Sequence, residues 1–349
     1  MIGYIAAAKS FEESNIESIH SFTYNELRNS VSSNEFTELV DGNYRQTMYT
    51  DPSAFKEQLP FYKIRPVYSG LVFLLYKAGV NTIFATHIIS GVAVAIAIAI
   101  LYFMADSFLA KPFIYVLPLL AIIFGIFDLA RFSTPDGLAF LFVILSAYLY
   151  LVKRFTPLLI LLPFMIGVRT DLILYTTPLL IYILAIDGNN RWKVLLSLLA
   201  SAVIYIGIGR HYENTGWSTV FSFSLINRIT HPISMPSSLT LDQYLFALTN
   251  GVKSLTGNKA ALLNIFIATY SIYRLTNISK TVSAHTAFKS TPAVLTIVCS
   301  CFMVSHFLAF PVLWDRFFSG PWMVCAFSLL LIMTNNSAIS NDPKTTGWT

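Results

Sequence analysis

Beyond Lys63 the chain is a succession of long apolar blocks separated by short polar breaks, and the blocks do not alternate apolar with polar residues as half-buried strands do. A bilayer core about 30 Å thick needs about 20 apolar residues per helix, and lipid leaves only helices or closed barrels as spanning structures. The blocks at 83–105, 112–128, 137–152, 155–168, 172–186, 193–209, 259–275, 292–313 and 318–334 are therefore read as spans. The run 66–80 is shorter and carries Lys77, so it either spans or lies as a re-entrant or interfacial helix. The expectation is an all-α polytopic membrane protein with about nine to ten transmembrane helices.

Three stretches differ from the blocks. Residues 1–63 form a polar N-terminal region, read as extracytoplasmic and loop-like, with helical spacing at Ile16, Ile19, Leu27 and Phe36. Residues 64–334 form the helical domain, interrupted at 210–258 by a polar, aromatic-rich extracytoplasmic loop containing Pro232 and Pro236. Loops of that length are usually functional or disordered. The tail 335–349 reads as disordered. The segment Met1–Ala8 has no basic start and is too short for a signal peptide. No internal repeat is visible of the kind that marks many secondary transporters.

Composition strengthens the membrane reading. Only 12% of the 349 residues are charged and 55% are apolar, with a mean hydropathy of +0.63. That is too little polar surface to cover a water-soluble globule. Aromatics at 15% suit a protein with two membrane interfaces to line. The net charge of +5 lacks a basic cluster interleaved with aromatics, so nucleic acid is not expected as a partner. Cys299, Cys301 and Cys325 lie inside apolar runs and read as small hydrophobic residues, not a disulfide framework.

Charge sorts the breaks into two sets. Lys111, Lys153, Arg154, Arg191, Lys193, Arg274, Lys280 and Lys289 dominate one set, which the positive-inside rule assigns to the cytoplasm. The other set pairs acids with arginines: Asp128, Arg131 and Asp136; Arg169 and Asp171; Arg210, Glu213, Arg228 and Asp242; Asp315 and Arg316. With nine spans, strict alternation puts all of these on the far side. Helix ends are polar in any case, through snorkelling and interface anchoring, but ionisable groups at membrane depth are expensive and mark candidate sites.

Four segments could carry chemistry. In Phe127–Gly137, Pro135 opens a helix and Asp136 lies in its first turn, where a carboxylate is favoured with or without a ligand. With Asp128, it offers oxygen ligands suited to magnesium or manganese. In Arg169-Thr170-Asp171 the acid also suits a helix start, whereas Arg169 gains nothing there and calls for an anion such as phosphate. In Trp314-Asp315-Arg316-Phe317-Phe318, Arg316 either pairs with an acid of the chain or binds a lipid-linked phosphate. Asp41-Gly42-Asn43-Tyr44-Arg45 reads as a turn or as an acidic site. His87 and His306, inside spans, read as packed or pore-facing.

Taken in order, these segments carry a resemblance. An acidic position in a polar loop precedes Arg65-Pro66-Val67-Tyr68-Ser69-Gly70-Leu71; later come Ser133-Thr134-Pro135-Asp136-Gly137, Gly167-Val168-Arg169-Thr170-Asp171 and Asp315-Arg316-Phe317-Phe318. The chain resembles the membrane-embedded C-type glycosyltransferases, over roughly residues 36–186 and around Arg316. The resemblance implies sugar transfer from a polyprenyl-phosphate donor to a glycan or lipid acceptor, in polysaccharide biosynthesis at the outer face of a bacterial inner membrane. It implies Asp41 and Asp136 as catalytic carboxylates. Arg169, Arg316 and Arg131 become candidates for the lipid phosphate, and Asp128 with Asp136 for a metal. The family places a transmembrane helix ahead of its first acidic loop, and none precedes Asp41 here. If 66–80 spans, Asp41 is cytoplasmic, and Asp128, Asp136 and Asp171 remain. The competing expectations are a polysaccharide polymerase, ligase or flippase, a transporter, and a non-catalytic membrane subunit.

Overall fold

The computed structural model describes residues 1–186, 191–235, 238–278 and 290–341, and all regular elements among them are helices. Asp187, Pro236, Lys280 and Lys289 lie outside the described residues.

The polar N-terminal region, expected to be loop-like, is instead folded. It forms α1 (Ile2–Lys9), α2 (Ile16–Ser30), α3 (Ser33–Val40), α4 (Asn43–Thr50), α5 (Pro52–Gln58) and α6 (Pro60–Lys63). Local chemistry sets the boundaries. Asn15 caps α2 through Glu17 N and Ser18 N, Ser32 and Glu35 form a reciprocal capping box on α3, and Asp51 caps α5 ahead of Pro52. Ile19, Tyr24, Leu27, Met48, Ala54, Phe55 and Leu59 close a small core of their own. Helix α1 is buried beneath it, with the Tyr4 ring edge-on to Tyr62 at 5.2 Å and to Tyr68 at 5.0 Å. A Cβ on Gly3 would lie 2.4 Å from the Tyr62 ring, so only glycine fits there.

Helix α7 (Pro66–Lys77) is 12 residues, about 18 Å long, well short of a hydrocarbon core. Tyr68 donates to the carbonyl of Thr86 at 3.0 Å, near the start of α8 (Thr82–Phe108), and Lys77 is followed at once by the turn into α8. Both ends of α7 thus sit at one end of the bundle. Glu26 accepts from Thr82 Oγ1 at 3.0 Å and Asn81 donates to Ser30 at 2.9 Å, which fixes the N-terminal helices to that same end.

The predicted span 112–128 is broken into α9 (Lys111–Ile114), α10 (Leu117–Ile123) and α11 (Ile126–Arg131). Pro112 and Pro118 open the first two, and Gly125, at φ +66°, turns the chain between the second and third. The bundle continues with α12 (Asp136–Leu151), α13 (Phe155–Val168), a 3-10 turn (Thr170–Leu172) and α14 (Ile173–Ile186). Next come α15 (Arg191–His211), α16 (Trp217–Leu225), α17 (Leu241–Leu255) and α18 (Lys259–Ile278), then α19 (Thr291–Ala309) and α20 (Asp315–Asn341). The 210–258 loop thus contains two helices. The tail expected to be disordered from 335 is helical as far as Asn341, and 342–349 lie outside the described residues.

Four of these helices, α8, α15, α19 and α20, are long and apolar enough to cross a membrane, and the chain is a multi-pass membrane protein. The apolar stretches 111–123, 136–151, 155–168 and 170–185 are shorter than a full span. Helix α20 is central, with 83% of its apolar stretch buried, whereas α15, at 17%, is peripheral. Polar contacts between helices involve small hydroxyl side chains: Ser146 with Tyr175 at 2.9 Å, Thr296 with Ser328 at 2.9 Å, and Ser319 donating to Phe124 O at 2.7 Å.

Candidate functional site

Helix α12 packs so closely on α8 that a Cβ on Gly137 would stand 3.0 Å from the Ser90 carbonyl. Ser90 Oγ donates to Thr134 O at 2.8 Å, which pins the turn before the helix. Asp136, the first residue of α12, is thereby carried inside the bundle, where it is 3% exposed.

Four segments meet there. Arg169, between α13 and the 3-10 turn, donates from Nη1 to Asp136 Oδ1 at 2.9 Å. Its other side grips Asp171 in a two-pronged pair, Nε to Oδ1 at 3.1 Å and Nη2 to Oδ2. Two parallel bonds between guanidinium and carboxylate are the strong geometry for this pair. His306, near the end of α19, lies with Nε2 3.3 Å from Asp171 Oδ2 inside a box formed by Phe302, Phe310, Phe317 and Phe318. Arg316, in the first turn of α20, lies with Nε 3.6 Å from Asp136 Oδ2, which also accepts from Thr134 Oγ1 at 2.7 Å. The Phe317 ring faces both guanidiniums, at 4.3 Å from Arg169 and 5.0 Å from Arg316.

Two guanidiniums and two carboxylates balance in this network, but the two arginines differ in reach. Arg169 is 4% exposed and bonds Asp136 and Asp171 through Nε, Nη1 and Nη2. The anion called for by its position is supplied by the chain itself. The Arg316 side chain is 34% exposed and lines two openings. Of the expected phosphate-binding residues, Arg316 has access to a ligand, whereas Arg169 organises the carboxylates.

Arg131 and Asp128 form a pair at 3.8 Å on the surface, with side chains 83% and 63% exposed. Asp128 lines an open pocket of about 600 Å³ together with Asn258, Trp314, Asp315 and Arg316. Among the described residues no three His, Cys, Asp or Glu side chains are grouped to hold a metal. The set expected for magnesium or manganese, Asp128 with Asp136, does not fit a shared cation. Both Asp136 oxygens already face N–H or O–H donors, and a divalent cation there would stand against two guanidiniums.

Asp41 is exposed at the end of α3, where its Oδ1 accepts from Gly42 N at 2.8 Å. It is outside the buried network. Its neighbours Leu39, Tyr44 and Arg45 nevertheless line a cavity of about 460 Å³ that Arg316 and Trp314 also line. Tyr24, Tyr62 and Phe223 complete the aromatic wall, and Arg228 also lines the cavity. Asp41 and Asp136 therefore lie at the same end of the bundle.

A third opening is an apolar groove of about 330 Å³ between α18, α19 and α20, lined among others by Ala261, Ile265, Met303, Val304, Phe318 and Trp322. Leu313 lines both this groove and the pocket at Asp128, and Trp314 and Arg316 line both that pocket and the aromatic cavity. The three openings are neighbours joined in turn by shared wall residues.

Sequence reasoning singled out Asp136, Arg169, Asp171 and Arg316 without pairing them. It missed Gln58, Glu57 and His231, which position the cavity loop and carry no sequence signal of their own. Scans against protein-family models and searches of curated proteins and of solved structures find no match to this chain.

Proposed function

We propose that this protein is a glycosyltransferase that moves a sugar from a polyprenyl-phosphate donor to a cell-surface glycan or lipid acceptor. The observation that carries the reading is the order of the three openings. An apolar groove shares Leu313 with the pocket at the half-buried Arg316, and that pocket shares Trp314 and Arg316 with an aromatic-walled cavity of sugar size. That order matches the donor's lipid tail, then its phosphate at Arg316, then the acceptor in the cavity beyond. The basic breaks at Lys111, Lys153, Arg154, Arg191 and Lys193 lie at the opposite ends of the helices from Asp136 and Arg316. This supports the outer face of a bacterial cytoplasmic membrane as the site of reaction.

In the proposed reaction the acceptor hydroxyl oxygen attacks the anomeric carbon. The bond from that carbon to the phosphate oxygen breaks, and the phosphate leaves with the electron pair. Arg316 stabilises the charge that develops on the phosphate, the type of electrostatic term that dominates many rate enhancements. Asp41, exposed beside the cavity-lining Tyr44, takes the hydroxyl proton. Asp136, through its contact with Arg316, is a positioning residue, and Arg169 holds Asp136 in place.

The test is sugar transfer in membranes carrying Asp41→Asn, Asp136→Asn or Arg316→Gln. Loss of transfer of about a hundredfold or more in Asp41→Asn is expected for removal of a general base. Full activity in both aspartate variants sinks the assignment. Full activity in Asp41→Asn with loss in Arg316→Gln favours the polymerase, ligase or flippase reading, which needs the phosphate arginine and not the base.

A further inference from the structure

The aromatic cavity contains more positive charge than the donor phosphate requires. Its lining includes Arg45, Arg228 and Arg316 and no carboxylate. Arg316 belongs to the buried network, but neither Arg45 nor Arg228 has a carboxylate within ion-pair distance among the described residues. Among the described residues Arg45 donates from Nη1 to the carbonyl of Glu38 at 3.0 Å, on the preceding helix α3.

Arg228 is held in place by its neighbours. Gln58, only 2% exposed, donates from Nε2 to the carbonyls of Ile229 and Thr230, each at 3.1 Å. Glu57 accepts from Ile233 N at 2.8 Å, Ser234 N at 2.9 Å and Ser234 Oγ at 2.8 Å. The loop that follows Arg228 is thus stapled to α5, and the exposed Arg228 side chain lines the cavity. The Gln58 Oε1 is buried without a partner at the same wall. Arg228 lines the same cavity as Tyr44 and Tyr62.

We propose that this cavity binds the acceptor, and that the acceptor is an anionic sugar whose oxyanion, a carboxylate or a phosphate ester, is held by Arg45 and Arg228. The naming of the occupant as acceptor rests on the transferase reading; the selection for a charged sugar does not. Aromatic faces receive the ring, as apolar sugar faces stack on them, and guanidiniums lining the same cavity take an oxyanion with charge-assisted bonds. The donor phosphate and the acceptor oxyanion then meet different arginines, so the two substrates do not compete for one charge.

The test uses the full chain in detergent, without donor, and measures binding by calorimetry. The probes are methyl glucuronoside, glucose 6-phosphate, methyl glucoside and inorganic phosphate. Both charged sugars are expected to bind about tenfold tighter than methyl glucoside at low salt, as charge-assisted bonds allow. Arg45→Gln and Arg228→Gln each reduce that preference, the double variant abolishes it, and Arg228→Lys retains part of it. Equal binding of charged and neutral sugars overturns the proposal, as does a preference that survives the double substitution. Inorganic phosphate binding as tightly as the charged sugars overturns it too, because the ring is then not recognised. Loss of sugar transfer with this preference intact counts against the transferase reading alone. Transfer to neutral acceptors with no charge preference counts against this proposal alone.

Discussion

An exposed and a buried acid–arginine pair in this chain use the same two residue types and differ entirely in structure. Asp128 and Arg131, three residues apart at a helix end, are both exposed and 3.8 Å apart. Asp136 and Arg169, 33 residues apart, are both buried and 2.9 Å apart, with Asp171, His306 and Arg316 around them. In water an ion pair exchanges one set of good contacts for another and gains little. Inside the bundle each charge has lost its water, so the partners are obligatory. Sequence proximity is therefore a poor guide to which arginine matters, and burial is the better one.

That comparison can be broken in three places. Arg169→Met leaves the buried Asp136 and the half-buried Asp171 without their shared partner, and a loss of about 3–5 kcal/mol is expected. Thermal unfolding of the purified protein in detergent measures it. The triple variant Arg169→Met, Asp136→Asn, Asp171→Asn should recover much of the loss, because the uncompensated charges go with it; no recovery would mean that packing, not charge, held the site.

Glu57 is intermediate, with its side chain 15% exposed and three hydrogen bonds to Ile233 and Ser234. Burial raises its pKa, but the bonds from Ser234, Ile233 and His231 outweigh that and hold it below its ordinary 4.5. A carboxylate held low stabilises fully above its unfolded value, and the contribution fades as pH falls through the folded value. Residues 229–234 should then loosen below about pH 4.5 in the wild type, with His231 and Asp51 the nearest other titratable groups. Glu57→Gln should show the looser loop already at neutral pH, at a cost of about 1–3 kcal/mol. Hydrogen exchange of the Ile233 and Ser234 amides reads both; equal protection in wild type and variant at neutral pH counts against the staple.

The smallest effect is expected at Arg131→Gln, within about 0.5 kcal/mol of wild type in the same thermal assay. A cost near that of Arg169→Met would erase the distinction drawn above.

Where lipid dictates structure, the sequence was easy to read. The block 137–152 became Asp136–Leu151 and 155–168 became Phe155–Val168, because an apolar stretch of backbone has no economical alternative to a helix in hydrocarbon. The reading failed at 112–128, where Pro112, Pro118 and Gly125 outweighed an apolar run. It also failed in residues 1–63. Ile19 and Leu27 were visible as one helix face, but their partners Met48 and Phe55 come from helices too short and polar to stand out. At the site, Asp136, Arg169, Asp171 and Arg316 were each visible as charges at helix ends. Their convergence was not, because it depends on contacts between segments up to 180 residues apart, and no local pattern encodes which of several arginines is turned inward.

The groove between α18, α19 and α20 has one further consequence. Several of its wall residues, Ile265, Ile272, Val304 and Leu308, are between 43% and 59% exposed and face the surface that a bilayer covers. An occupant of that groove therefore arrives sideways, by diffusion within the membrane plane. Its encounter rate follows its mole fraction among the surrounding lipids, and diluting the vesicles in buffer leaves that quantity unchanged. Saturation curves for such a molecule are meaningful only when plotted per unit of membrane.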